Sequence, residues 1–281
     1  MEIWFHRYTL VPKRRLSSVA REGAREGALI RVDKGFADIH PWPELGDASL
    51  DEQLMLLALG VTTPITRASL HLASIDGDAR ARGVSLFEGL TIPLSHWPGA
   101  DPPPEFDTVK IKDVSRIPPD VRLRIDFNAT FTADEFLRVA KTLPHDRVDF
   151  VEDPCPYDPD VWSELRATSG LRLALDQKAQ PGGGFDVAIW KPALQTDPPT
   201  ADSVVVTSYM DHPIGQFGAA FVAATNAQRV DARCGLMTHV LYETNAFIER
   251  IRTSGARLLA PEGTGVGFDD LLEHLDWKRL A

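Results

Sequence analysis

Five short runs of strand-forming residues each deliver an ionisable side chain at or near the end, and that series limits the folds open to the chain. The runs are Thr108 to Lys112, Arg122 to Asn128, Val148 to Pro154, Arg172 to Gln177 and Val187 to Pro192. In order they present Lys112, Asp126, Glu152, Asp176 and Lys191. One Asp at a strand end is ordinary. Two lysines flanking three carboxylates, one residue per strand, are hard to explain as packing. A parallel β/α barrel collects the C-terminal ends of its strands at one mouth, where five such side chains converge.

Side chains alternate along a strand, so Lys110 and Lys112 share a face, as do Arg124, Asp126 and Asn128. Cations inside an apolar barrel are costly unless something pairs with them or uses them. The carboxylates supply that need. Asp126, Glu152 and Asp176 stand 26 and 24 residues apart, about one strand–helix–strand unit each. Three carboxylates with room for water suit a hard cation, Mg²⁺ first and Mn²⁺ as its substitute. The lack of convergent His or Cys argues against zinc. A divalent cation next to lysines has a natural chemistry, the removal of a proton α to a carboxylate. The resulting enediolate is stabilised by the cation, one lysine serves as base, and a second donates a proton or holds charge.

The rest of the chain narrows the class. It has 281 residues, 43% apolar and 25% charged, as in ordinary globular proteins, with a net charge of −10. No basic cluster is dense enough to follow a phosphate backbone, so nucleic acid is not an expected partner. The stretch from Met1 to Arg15 does not read as a signal peptide. The longest near-apolar stretch, Phe217 to Ala224, is too short to span a bilayer. Cys155 and Cys234 lack CxxC spacing, which fits a reducing cytoplasm. Oligomeric state is not legible.

The expected architecture is an α/β fold, an abbreviated TIM-like β/α barrel (residues 86–281) with a small N-terminal α+β capping domain (residues 1–85). The C-terminal segment is a candidate addition to the cap. In the cap, Ala28 to Val32 reads as a strand, and Ser49 to Gly60 and Thr66 to Arg82 read as helices. Gly35 to Asp47 is too rich in turn residues to be one regular element, and we expect it in the lid of the pocket. In the barrel, Leu90 to Leu94 is a candidate first strand and Ser203 to Tyr209 a seventh. Helices are expected over Thr132 to Thr142, where Thr132 and Glu135 form a capping pattern, and over Asp158 to Thr168. Further helices are expected over Pro213 to Thr225 and His239 to Arg252. Segments 96–107, 113–120 and 178–185 are too short or too rich in Pro and Gly for helices, which makes the barrel abbreviated.

At this point the residues carry a resemblance. The series LysIleLys, AspPheAsn, GluAspPro, LeuAspGln and LysPro, in this order, resembles the enolase superfamily and its muconate-lactonising subgroup. Thr207 to Gly215, Gly35 to Asp47 and Cys234 to His239 make it most similar to the o-succinylbenzoate synthases of menaquinone biosynthesis. The resemblance implies that Asp126, Glu152 and Asp176 ligate Mg²⁺. It also implies that Lys112 is the acid/base, that Lys191 opposes it and stabilises the enediolate, and that Lys110 supports Lys112. Arg124 would reach the substrate, and Ser208 and Gly215 would frame its succinyl carboxylate. The implied reaction is dehydration of 2-succinyl-6-hydroxy-2,4-cyclohexadiene-1-carboxylate to 2-succinylbenzoate, a small carboxylate substrate and product.

Alternatives stay open beside this reading. Lys178 shares a face with Asp176, and a lysine there marks racemases in some subgroups. Arg124 is equally a structural partner for a carboxylate. His212 reads as the cap of the helix beginning at Pro213, and Trp42 as cap packing or pocket wall. An N-acylamino acid racemase or dipeptide epimerase would need the same two lysines. The chain offers one Asp in Thr207 to Gly215, where dipeptide epimerases carry a pair near the eighth strand. A third reading is a metal-binding barrel without catalysis.

Overall fold

The computed structural model describes residues 2–16, 20–176 and 182–281. Its N-terminal part is an antiparallel meander of β1 (Ile3–Leu10), β2 (Arg25–Val32) and β3 (Gly35–Ile39). The C-terminal segment Lys278–Arg279 pairs with β1 and so adds a fourth strand to this sheet. Two helices cover the sheet, α1 (Leu50–Ala58) and α2 (Pro64–Arg82). Each begins where a hydroxyl accepts an otherwise orphaned N–H: Ser49 with Glu52 closes a capping box for α1, and Thr63 with Thr66 does so for α2. Gly83 ends α2 in the left-handed region at φ 69°. β3 approaches α2 so closely that a Cβ on Gly35 would meet the Ala73 carbonyl oxygen. Asp76 of α2 then accepts from Phe36 N and Arg80 Nε, at 2.8 and 2.6 Å, and from Val266 N. One buried carboxylate thus joins the helix, the sheet and the C-terminal segment.

Chain reversal at Gly83 leads into the barrel. Its strands are β4 (Leu94–Ser95), β5 (Trp97–Pro98), β6 (Thr108–Ile111), β7 (Arg122–Asp126), β8 (Val148–Glu152), β9 (Leu173–Leu175), β10 (Val187–Trp190), β11 (Ser203–Val206) and β12 (Arg233–Cys234). From β5 to β11 each pairs in parallel with the next. The circle closes through parallel pairing of β12 with β4 and a Thr207–Gly235 bridge next to β11. β4 and β5 are two halves of one strand position, bent at His96, whose N–H donates to Cys234 O.

Helices α3 (Ala133–Ala140), α4 (Pro159–Ser169) and α5 (Pro213–Thr225) cover the connections after β7, β8 and β11. Thr132 with Glu135, Asp158 and His212 cap them, each as the sequence signals. Among the described residues the other connections between barrel strands carry no helix, so the barrel is abbreviated. Leu123, Ile125, Val151 and Leu173 point outward to Phe136, Trp162 and Leu165 under α3 and α4. Fully burying each such side chain contributes about 1.5–3 kcal/mol. None of the described helices is long and apolar enough to cross a membrane.

Two local expectations fail. The first strand lies at Leu94–Ser95 and Trp97–Pro98, not at Leu90 to Leu94. The stretch 87–90 turns instead, with Gly89 at φ 71°. No helix spans His239 to Arg252. That stretch holds a 3-10 turn, Thr238–Leu241, and one helical turn, Ala246–Glu249, separated by a Tyr242 backbone in the extended region. Tyr242 donates its hydroxyl to Met210 O, a tertiary tie that outweighs the helical pattern.

Candidate active site

The strand series meets at the C-terminal mouth of the barrel. Asp126 and Glu152 are the last residues of β7 and β8 and are direct register partners. Lys112, Asp176 and Lys191 each stand one residue beyond a strand end. Lys110, on β6, reaches across to Glu152 Oε1 at 2.6 Å and Asp126 Oδ2 at 3.1 Å. Lys112 Nζ lies 3.5 Å from Asp126 Oδ2. On the other side Lys191 donates to Asp176 Oδ2 at 2.5 Å.

Electrostatics separates the three lysines. Burial disfavours the charge on all of them. For Lys110 the carboxylates Asp126, Glu152 and Asp176 overcome burial and raise its pKa. Lys191 is likewise raised, by Asp176. Lys112 is lowered, because burial and the neighbouring ammoniums of Lys110 and Lys191 outweigh the pull of Asp126. It is also the most open of the three, its side chain 32% exposed against 18% for Lys110 and 17% for Lys191. Among the carboxyls, burial works to raise Asp126, yet Lys110, Lys112 and the Asn128 N–H hold it below its usual range. Glu152 is pushed up by burial and by the two other carboxylates.

Among the described residues no three His, Cys, Asp or Glu side chains are gathered around one point as a finished metal cage. The lysines hold the carboxylates in place instead. The donor set nonetheless fits a hard divalent cation. It offers three anionic oxygen donors at one mouth, and Asp176 Oδ1 is buried with no hydrogen-bond partner. Asp126, Glu152 and Asp176 would hold the ion with the lysine contacts loosened.

Other expected positions fall differently. Arg124 sits one layer below, in register with Lys110, fully buried over the Phe150 ring at 4.8 Å. Its donors are engaged by Asp149 Oδ2 at 2.9 Å, Asp231 Oδ1 at 2.8 Å, Arg233 O at 2.6 Å and His96 Nδ1 at 3.1 Å. It ties the barrel floor together, as the reading of Arg124 as a structural partner of a carboxylate expects. Asn128 lies beyond β7 in a turn at φ 49°, not on the strand face. Its backbone N–H donates to Asp126 Oδ1 at 2.9 Å. Ser208 is buried and paired with Thr238 Oγ1 at 2.6 Å. Gly215 is in the first turn of α5, where a Cβ would meet Asp211 and Asp38. Lys178 and Gln177 lie outside the described residues.

Two residues absent from the sequence reading join the site. Asp153, in the left-handed region at φ 44°, accepts the Asp176 N–H at 3.1 Å and so orients that carboxylate. Its signal was the second acid of GluAspPro. Tyr209 places its ring 5.3 Å from Lys191 Nζ. The cap grips it there. Trp42 Nε1 donates to Tyr209 O, and Tyr209 donates its hydroxyl to Asp47, both at 2.9 Å. The segment 35–47 therefore reaches the barrel mouth.

Known proteins bear on this arrangement. The family of the o-succinylbenzoate synthase N-terminal domain matches residues 3–79, and the enolase C-terminal domain-like family matches residues 80–195. An o-succinylbenzoate synthase from Bdellovibrio bacteriovorus is 35% identical over 327 aligned residues, covering 100% of this chain and 99% of its own. A dipeptide epimerase from Cytophaga hutchinsonii, solved with Mg and D-Ala-L-Val, superposes with a TM-score of 0.76 at 13% identity, covering 100% of this chain and 99% of that one. A member of the enolase superfamily from Roseovarius nubinhibens, solved with magnesium, gives 0.74 at 12% identity, covering 100% and 98%. At such identities the solved structures speak to the fold alone, a capped enolase-type barrel. The full-length match and the cap family together go further: the chain belongs to the o-succinylbenzoate synthases of the enolase superfamily and is a lyase.

Proposed function

We propose that the chain dehydrates 2-succinyl-6-hydroxy-2,4-cyclohexadiene-1-carboxylate to 2-succinylbenzoate through an enediolate, as a step of menaquinone biosynthesis, with Mg²⁺ on Asp126, Glu152 and Asp176. The observation that carries this reading is the split among the lysines. Lys112 alone of the three has its ammonium pushed down, and it is the one most open to the mouth.

Bound there, the cation supplies Lewis-acid stabilisation of charge developing on the substrate carboxylate. Lys112 in its neutral form takes the α-proton onto Nζ. It then returns that proton to the departing hydroxyl on the same face, so that water leaves and the ring becomes aromatic. Lys191, kept protonated by Asp176, faces the enediolate from the other side. Lys110 stays charged and neutralises Glu152 and Asp126. Ser208 and the N-terminal turn of α5 at Gly215 receive the succinyl carboxylate.

A second reading, racemisation or epimerisation of an acylated amino acid, is favoured by one observation: lysines stand at both sides of the carboxylates. One experiment separates the two. Purified chain with Mg²⁺ is expected to consume the cyclohexadiene, followed by its absorbance, and to stop on chelation. No turnover of that substrate, together with α-hydrogen exchange and inversion of an N-succinylamino acid, would replace the first reading with the second.

A further inference from the structure

We propose that the interface between cap and barrel carries a monovalent-cation site, in which Asp38, Asp211 and His40 Nε2 hold a potassium- or ammonium-sized ion. The site adjoins Gly215 in the first turn of α5 and uses none of Asp126, Glu152 and Asp176.

A cavity of about 70 Å³ lies between α2 and α5. Leu72, Ile75 and Phe221 contribute apolar wall, Asp38, His40 and Asp211 contribute buried acceptors, and Ser69, His71 and Thr196 also line it. Asp38, His40 and Asp211 are more than nine-tenths buried. The two carboxylates converge: a Cβ built on Gly215 would lie 2.7 Å from Asp38 Oδ2 and 2.6 Å from Asp211 Oδ2.

The hydrogen bonds show which atoms are left over. Tyr8 donates its hydroxyl proton to Asp38 Oδ1 at 2.6 Å. Its oxygen must then accept from His40 Nδ1, 2.9 Å away, which places the imidazole proton on Nδ1 and leaves Nε2 a bare lone pair. His40 Nε2 and Asp211 Oδ1 are both buried without a partner. Asp38 Oδ2 accepts from His212 N at 3.0 Å. Two buried acceptors of the cavity, His40 Nε2 and Asp211 Oδ1, are therefore left without a donor.

Charge argues the same way. Asp38 is acted on by Asp211, the Tyr8 hydroxyl and the backbone of His212 and Ile39, and Asp211 by its own backbone and that of Tyr209, with no basic side chain among them; Arg25 acts on the neighbouring His40 and Tyr242. Burial and the neighbouring carboxylate raise Asp38, and burial pushes Asp211 up to about 7. Once Asp211 is ionised its charge stands beside the Asp38 carboxyl in a low-dielectric pocket, a costly state that an entering cation relieves. Among the described residues no three His, Cys, Asp or Glu side chains, Asp38, Asp211 and His40 included, stand close enough to cage a small metal ion. A large, weakly demanding monovalent ion fits a looser shell. It would tie β3 of the cap to the turn that carries Ser208 and Gly215.

The test compares thermal unfolding of the full chain at pH 8 in the chlorides of K⁺, NH₄⁺ and Na⁺ with tetramethylammonium chloride, at fixed ionic strength and fixed Mg²⁺. We expect a saturable rise in Tm of about 3–5 °C with K⁺ or NH₄⁺ at ten times the dissociation constant. Asp211→Asn should remove it. A second measurement uses the unaltered chain, whose crystals grown with Tl⁺ should give an anomalous peak between Asp38 and Asp211. Equal Tm in every salt together with no anomalous peak would overturn the proposal. So would a Tm that changes through pH 7 identically in all salts, which would assign the neutralising charge to a proton.

Discussion

Lys110 Nζ stands 2.6 Å from Glu152 Oε1, joining β6 to β8 across the barrel interior. The contact keeps a fully buried carboxylate beside a cation, whereas Lys112, two residues on, makes a looser approach to Asp126 at 3.5 Å. The two lysines of one strand should therefore fail differently. Lys110→Met strands a buried acid and should destabilise the fold by on the order of 3 kcal/mol. Lys112→Ala should leave the Tm within about 2 °C of the parent while lowering dehydration by at least ~10²–10⁴-fold. Denaturation curves read beside turnover check this; equal stability losses would contradict the division of roles.

Removing one metal donor should separate binding from folding. Glu152→Gln keeps the shape of the side chain and its acceptor oxygen towards Lys110 but removes one negative charge from the set of three. The parent is expected to gain thermal stability on Mg²⁺ addition, because the ion binds the folded state. In Glu152→Gln that gain should shrink or vanish, as calorimetric titration with Mg²⁺ alone would also show. Undiminished Mg²⁺ affinity would mean that the donor set is assigned wrongly.

Trp42 connects the cap to the mouth through Tyr209 O, and its ring lies under Arg25 at 3.9 Å in a residue only 1% exposed. Trp42→Ala should cost about 3–5 kcal/mol by leaving a cavity. Trp42→Phe keeps most of the packing and loses the hydrogen bond, about 1 kcal/mol. If the cap positions the seventh-strand turn for substrate, Trp42→Phe should raise KM more than it lowers kcat. Steady-state kinetics on the folded variant decides it.

His96 supplies a pH signature. Burial first, then Arg124 and Lys110, hold its pKa well below 6.5, so the folded imidazole stays neutral while the unfolded one takes up a proton. A lowered folded pKa means that stability is present above about pH 6.5 and is lost as pH falls below it, at up to about 1.4 kcal/mol per pH unit. His96→Gln lacks this linkage. Its stability deficit against the parent should therefore narrow from pH 8 to pH 5. Urea unfolding at several pH values measures it, and a constant deficit would refute the buried neutral form.

Local grammar accounts for much of what the sequence determined. The hydroxyl–acid pair Thr132 and Glu135, Asp158 before Pro159, and His212 before Pro213 each cap a helix within one turn, so the signal and its effect are sequence neighbours. The order of Lys112, Asp126, Glu152, Asp176 and Lys191 at strand ends was legible because alternation and strand–helix spacing are also local periodicities. Tertiary structure decided the rest. Arg124 carries the same strand-face signal as Asp126, and only the barrel floor, with Asp149, Asp231 and His96, shows that its donors are already used. Closure of β12 onto β4 and the C-terminal strand beside β1 join residues far apart in the chain. The lowering of Lys112 against the raising of Lys110 depends on which carboxylate each ammonium meets across the barrel. Such distances are set by the folding of separate strands around one axis, and no short stretch of sequence contains them.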